Sequence, residues 1–71
     1  MKRTDRTQLR LCLDSAVRIT NELNGLALDV DAVASGCDNP YLPLVSISLS
    51  FALQMCSIAA YQLGHAIESK T

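Results

Sequence analysis

The sequence predicts an all-α fold, an antiparallel two-helix hairpin that dimerises into a four-helix bundle. The first half of the chain carries apolar residues at a helical spacing, and Pro40–Ile67 contains no Asp, Glu, Lys or Arg. Between these halves lie the Gly, Asn and Pro residues typical of a turn. The chain has 71 residues. We expect them to form a single domain, 1–71. A domain of this size is too small to bury a sizeable core without disulfide bonds, a structural metal or a second copy of the chain.

The first helix is expected over about residues 5–35, with Thr4 or Asp5 as its N-cap. Its apolar residues advance by alternating steps of four and three, which is typical of a helix that packs along its length against another helix. This first seam consists of Leu9, Leu13, Ala16, Thr20, Leu23, Ala27, Val30 and Ala34. The Asn24-Gly25 dipeptide could end the helix. Because the seam keeps its spacing there, we expect one helix that is weakened or kinked at Gly25.

The connection is expected over residues 36–42, with Gly36 as the helix stop. Proline is tolerated in the first turn of a helix, so Pro40 and Pro43 fit the start of the second helix. We expect that helix over about 43–69, with Lys70 beside its negative end.

The second helix competes with a strand, because apolar and polar residues alternate from Val45 to Phe51. The alternation stops at Ala52, whereas a helix places six polar residues of the segment on one narrow stripe. That stripe consists of Ser46, Ser50, Gln54, Ser57, Tyr61 and His65. We therefore favour a helix throughout.

The second helix has two apolar flanks, and the single seam of the first helix can cover only one of them. One flank is Leu44, Ile47, Phe51, Met55 and Ile58; the other is Val45, Leu49, Ala52, Cys56, Ala59, Leu63 and Ile67. A large uncovered apolar flank marks an interface or a membrane. We expect a two-fold homodimer, whose order of helices the sequence leaves open. The expected dimer or core residues are Leu44, Ile47, Phe51, Met55, Ile58 and Leu63.

Two alternatives to a cytoplasmic interaction protein follow from composition. Residues 43–67 are long enough to span a bilayer, but they include costly polar residues such as Gln54 and His65. A span would also leave the seam of the first helix without a partner. The basic residues of the first quarter suggest a nucleic-acid-binding regulator. Acidic residues interrupt them, however, and no aromatic residue is interleaved to stack on bases, so we do not favour nucleic acid as a partner.

The sequence shows no catalytic, cofactor-binding or metal-binding signature, and we expect no enzyme activity. Three cysteines without a CxxC pair indicate neither a disulfide framework nor a zinc site, and they fit a reducing cytoplasm. His65 fits a polar stripe better than an acid–base pair. Tyr41, held between two prolines, and the adjacent Leu42 are the candidate partner-binding residues. Tyr41 could equally fold back over the end of the core.

The short basic-fronted first helix, the NPYLP turn and the SIAAYQLGHAI segment together resemble the small helical regulators with which bacteriophages disable host proteins. Within that group the chain is similar to the phage quorum-sensing anti-activators, which are small helical dimers. The resemblance implies binding to a host LuxR-type transcriptional regulator, interference with pilus assembly, and Tyr41 as a contact. The expected function is that of a non-enzymatic dimer that binds a host protein and inhibits or modulates it.

Overall fold

The computed structural model describes residues 2–69 and contains two helices. Helix α1 spans Arg3–Ala34, helix α2 spans Leu42–Glu68, and a turn over residues 35–41 joins them. The helices run antiparallel, because Ser46 donates a hydrogen bond to Asp31 near the turn while Arg6 donates one to Ser69 at the open end. The predicted helical hairpin is confirmed, and residues 45–51 are helical rather than a strand.

Helix α1 begins earlier than its sequence predicts. Its N-cap is Lys2, which has extended backbone with ψ of 154° and makes no side-chain capping bond. The Arg6 N–H donates to the Lys2 carbonyl at 3.0 Å, so the first turn already includes Thr4 and Asp5. The predicted cap at Thr4 or Asp5 is therefore wrong. Asp5 instead places its carboxylate in the first turn, beside the positive end of the helix dipole.

The end of α1 uses a tightened last turn instead of a glycine cap. The Gly36 N–H donates to the Val33 carbonyl at 3.1 Å, and the Cys37 N–H donates to that of Ala34 at 3.4 Å. These i to i+3 bonds satisfy terminal carbonyls, and no described glycine has a positive φ. Helix α2 then starts one residue before the predicted position, with Pro43 in its first turn. The predicted role of Lys70 lies outside the described residues.

The two helices meet along one seam. Every residue of the predicted α1 seam is half-buried. The facing residues of α2 follow the same steps of four and three: Leu42, Ser46, Leu49, Leu53, Cys56, Ala60, Leu63 and Ile67. Ser46 is thus part of the seam rather than of the exposed polar stripe, and its hydroxyl donates to Asp31 Oδ1 at 2.8 Å. That bond removes the cost of placing a hydroxyl in the contact.

The hairpin is a single thin layer, 53 × 15 × 12 Å in extent. Its radius of gyration is 16.2 Å, whereas a compact domain of this length has one of about 11 Å. Among the described residues only Ile67 is buried, with 6% of its surface exposed. Stable domains pack at least two layers around a core. The hairpin by itself therefore has a seam but no core.

Helix α1 passes through Asn24 and Gly25 without interruption, and we expect Gly25→Ala to stabilise the protein by about 1 kcal/mol. A Cβ added at Gly25 meets nothing within 4 Å, so the substitution removes backbone entropy without a clash. Urea unfolding at fixed protein concentration measures the change. Gly36→Ala, in the turn, is the control and should have the smaller effect. A loss of stability in Gly25→Ala would show that this position needs glycine.

Candidate interaction surfaces

A row of exposed apolar residues lies on the side of α2 that faces away from α1. We call it the outer face; it consists of Leu44, Ile47, Phe51, Met55 and Ile58, whose exposed fractions lie between 41% and 61%. Five of the six predicted dimer or core residues are therefore uncovered in the hairpin. The sixth, Leu63, is half-buried in the seam against α1.

A shallow open groove of about 280 Å³ runs along one edge of the outer face. It is lined by Ser46, Ile47, Ser50, Phe51 and Gln54. The aliphatic and aromatic side chains offer apolar contact, whereas the amide and the hydroxyl groups offer hydrogen bonds. Apolar walls with a few polar groups are typical of a surface that binds a side chain. No lining residue is ionisable near neutral pH.

Tyr41 projects from the turn with 71% of its surface exposed. Its side chain therefore does not close over the end of the seam, which the sequence had left open. The Tyr41 N–H donates to Asn39 Oδ1 at 2.9 Å, an Asx-type bond that orders the turn before α2. Leu42 is half-buried at the start of the seam. Of the two predicted partner-binding residues, Tyr41 is the one with an exposed side chain.

His65 and Tyr61 contact one another on the exposed side of α2. Their ring centroids lie 4.5 Å apart with the planes at 62°, an edge-to-face contact, and both side chains are exposed. The described residues contain no group of three His, Cys, Asp or Glu side chains that could hold a metal ion. The arrangement at His65 is that of two neighbouring polar side chains on a helix surface, as predicted for the polar stripe.

One of the N-terminal cations has a structural role. The Arg6 guanidinium is half-buried and donates to the Ser69 carbonyl at 3.1 Å. This bond ties the first turn of α1 to the end of α2 and satisfies a terminal carbonyl of that helix. The basic cluster that a nucleic-acid-binding surface would use is correspondingly reduced.

A second apolar surface lies on one side of the hairpin, and the sequence prediction includes only its α2 half. Ile19, Leu26 and Val33 of α1 are spaced by seven residues, flank the seam and are all exposed. Their spacing is the signal that could have revealed them, because residues seven apart share one side of a packed helix. The corresponding positions of α2 carry Val45, Ala52 and Ala59. We call these six residues the lateral face.

Helix α2 is also long and apolar enough to cross a membrane, judged by length and composition alone. Apart from Ile67, no residue of α2 is buried. The apolar character of α2 is therefore not explained by burial within the hairpin.

No protein-family model matches the chain, and no curated protein or solved structure matches it. The resemblance to phage anti-activators consequently rests on the sequence features given above.

Proposed function

We propose that this protein is a non-enzymatic homodimer that binds another protein through the outer face of α2 and thereby inhibits it. The outer face carries this proposal: five large apolar side chains are exposed within one stretch of helix that has no charged residue. Exposed apolar patches of this kind mark interaction sites. A surface of contact groups without acid–base or nucleophilic groups acts by covering part of its target.

The groove beside Phe51 suggests how the target is held. An amphipathic helix lying along α2 would place apolar side chains against Ile47 and Phe51, while Gln54 and the serines bond its polar groups. Tyr41 extends the same surface towards the turn and adds an aromatic contact. The resemblance to phage anti-activators makes a LuxR-type transcriptional regulator the first partner to test.

We expect Phe51→Glu and Tyr41→Glu to lose the target while remaining helical. Both side chains are more than half exposed, so a carboxylate there disturbs the interface and leaves the seam intact. The measurement is affinity capture from a bacterial lysate, followed by binding assays with the captured protein. Hot-spot losses of about 2–4 kcal/mol would weaken binding by roughly 30-fold to 1,000-fold.

Leu28→Glu is the matched control, since Leu28 is an equally exposed leucine on α1, away from both apolar faces. A target captured by the unmodified protein and by Leu28→Glu, but not by Phe51→Glu, supports the proposal. Equal capture by all variants would place the binding surface elsewhere. Circular dichroism separates loss of binding from loss of fold.

A membrane protein is the second candidate, favoured by the length and apolar composition of α2. At 1.5 Å per residue its 27 residues reach about 40 Å, more than the roughly 30 Å of hydrocarbon. In the hairpin, however, α2 is packed against α1, whose outer side carries the exposed residues Arg10, Asp14, Arg18 and Glu22. Their charges are costly in a bilayer. Helix α2 would therefore have to leave α1 in order to insert. Extraction of the protein from cells without detergent would exclude this candidate.

A further inference from the structure

We infer that a second copy of the chain packs on the lateral face with its two-fold axis parallel to the helices, so that both turns lie at the same end of the dimer. This inference rests on the homodimer of the proposed function and specifies its geometry. It also assigns the two apolar surfaces to different occupants, the lateral face to the second copy and the outer face to the target.

The hairpin exposes more surface than a compact protein of the same mass, and the excess is large enough for a dimer interface. The chain exposes 5478 Å², whereas a compact protein of 7.7 kDa exposes about 4,300 Å². The surplus of about 1,200 Å² exceeds the roughly 800 Å² per partner of a standard interface. One further hairpin would cover it and convert the thin layer into two layers around a core.

The register of the hairpin places the two halves of the lateral face side by side. Asp31 pairs with Ser46 and Arg6 with Ser69, so residues at the same level have numbers that add up to about 76 in this antiparallel helix pair. Leu26 and Ala52, like Ile19 and Ala59, lie within about two residues, roughly 3 Å, of the same level. Since the seam spacing is the same in both helices, these levels repeat every seven residues along the hairpin.

The lateral face is complementary to itself in one orientation. The α1 half presents a ridge of branched side chains, while the middle of the α2 half presents alanines. An axis parallel to the helices places α1 of each copy over α2 of the other, so Leu26 meets the second copy's Ala52. Large residues then face small ones, as in well-packed cores. A two-fold axis perpendicular to the helices would place α1 of one copy over α1 of the other. The two ridges of branched side chains would then face each other.

This orientation also places the charges favourably. Glu22 and Asp29 border the ridge on α1, and they would lie beside α2 of the second copy, which is free of charge from Leu42 to Ile67. Contact between the two α1 helices would instead bring together the helices that hold nearly all the charges. The outer face remains uncovered in the proposed dimer, and the two Tyr41 side chains project from one end.

The first test compares Leu26→Glu with Leu28→Glu. These leucines are two residues apart and are 48% and 62% exposed, but only Leu26 belongs to the lateral face. We expect Leu26→Glu to weaken dimerisation by about 100-fold or more, because each copy buries a carboxylate against alanine, and Leu28→Glu to leave it unchanged. Light scattering on a gel-filtration column reports the mass. Loss of the dimer with Phe51→Glu but not with Leu26→Glu would overturn the choice of the lateral face.

The second test measures the distance between the turns. Cys37 lies in the exposed turn and can carry a spin label once Cys12→Ser and Cys56→Ala remove the other thiols. Pulsed electron–electron double resonance measures the distance between the two labels of the dimer. The inferred dimer predicts roughly 20 Å, about two helix diameters. Turns at opposite ends would be separated by nearly the 53 Å length of the hairpin. That longer distance in a stable dimer would overturn the inferred axis, whereas a monomer would overturn the homodimer itself.

Discussion

The melting temperature of this protein is expected to fall as the protein is diluted. A hairpin in which only one residue of the described range 2–69 is buried gains too little from its seam to offset chain entropy, so folding and dimerisation should occur together. Each tenfold dilution then lowers the free energy of unfolding, from one folded dimer to two unfolded chains, by about 1.4 kcal/mol. For a bundle of this size the shift is about 3–6 °C per tenfold dilution.

Circular dichroism melts at about 1, 10 and 100 µM, a range over which small bundles normally dissociate, measure this shift. Leu26→Glu should melt at a lower temperature than Leu28→Glu at each concentration, because it removes the contact that holds the second copy. A melting temperature that does not depend on concentration would mean that the monomer is stable, and the homodimer would have to be abandoned.

The largest loss of stability from a single substitution is expected for Leu53→Asp. Leu53 is half-buried in the seam, at the level of Leu23, so a carboxylate there is desolvated against apolar side chains of α1 without a partner. We expect the free energy of unfolding to fall by about 3 kcal/mol or more. A fall of this size is enough to unfold a protein this small. The variant should lack helical circular dichroism at room temperature.

Leu11→Asp is the comparison that separates packing from helix propensity. Leu11 is exposed and points away from the seam and from both apolar faces. Its replacement should cost less than about 1 kcal/mol, the propensity difference between the two residues. Similar unfolding in both variants would mean that the seam contributes little and that the described contact between α1 and α2 is not what holds the helices together.

The sequence predicted the seam of α1 residue by residue because charged side chains mark the opposite side of that helix. Helix α2 lacks such marks. Its residues are apolar on most sides, so periodicity could not show which side meets α1, and Ser46, Leu53 and Ala60 were not assigned to the seam. The N-cap was missed for a different reason. Capping preferences are worth about 1 kcal/mol, and the additional helical residues from Arg3 to Asp5 can outweigh them.

The surfaces were predictable to a similar extent. The surplus apolar flank of α2 followed from counting the one seam available to cover it. The exposure of Tyr41 did not, because it depends on how the turn orients the side chain relative to the end of the helices. The lateral face combines residues from both helices, and recognising it requires the register that the Asp31–Ser46 and Arg6–Ser69 bonds provide.

The hydrogen bonds at the two ends of the seam also imply an order of folding. The Ser46–Asp31 bond closes a segment of 15 residues, whereas the Arg6–Ser69 bond joins residues 63 apart. Closing the longer loop from the open chain costs about 1.3 kcal/mol more in entropy. The contacts between α1 and α2 should therefore form first at the turn and then progressively towards the open end. The Arg6–Ser69 bond should form last and break first. Local unfolding of this molecule is thus concentrated at the end of the hairpin where α1 begins and α2 ends.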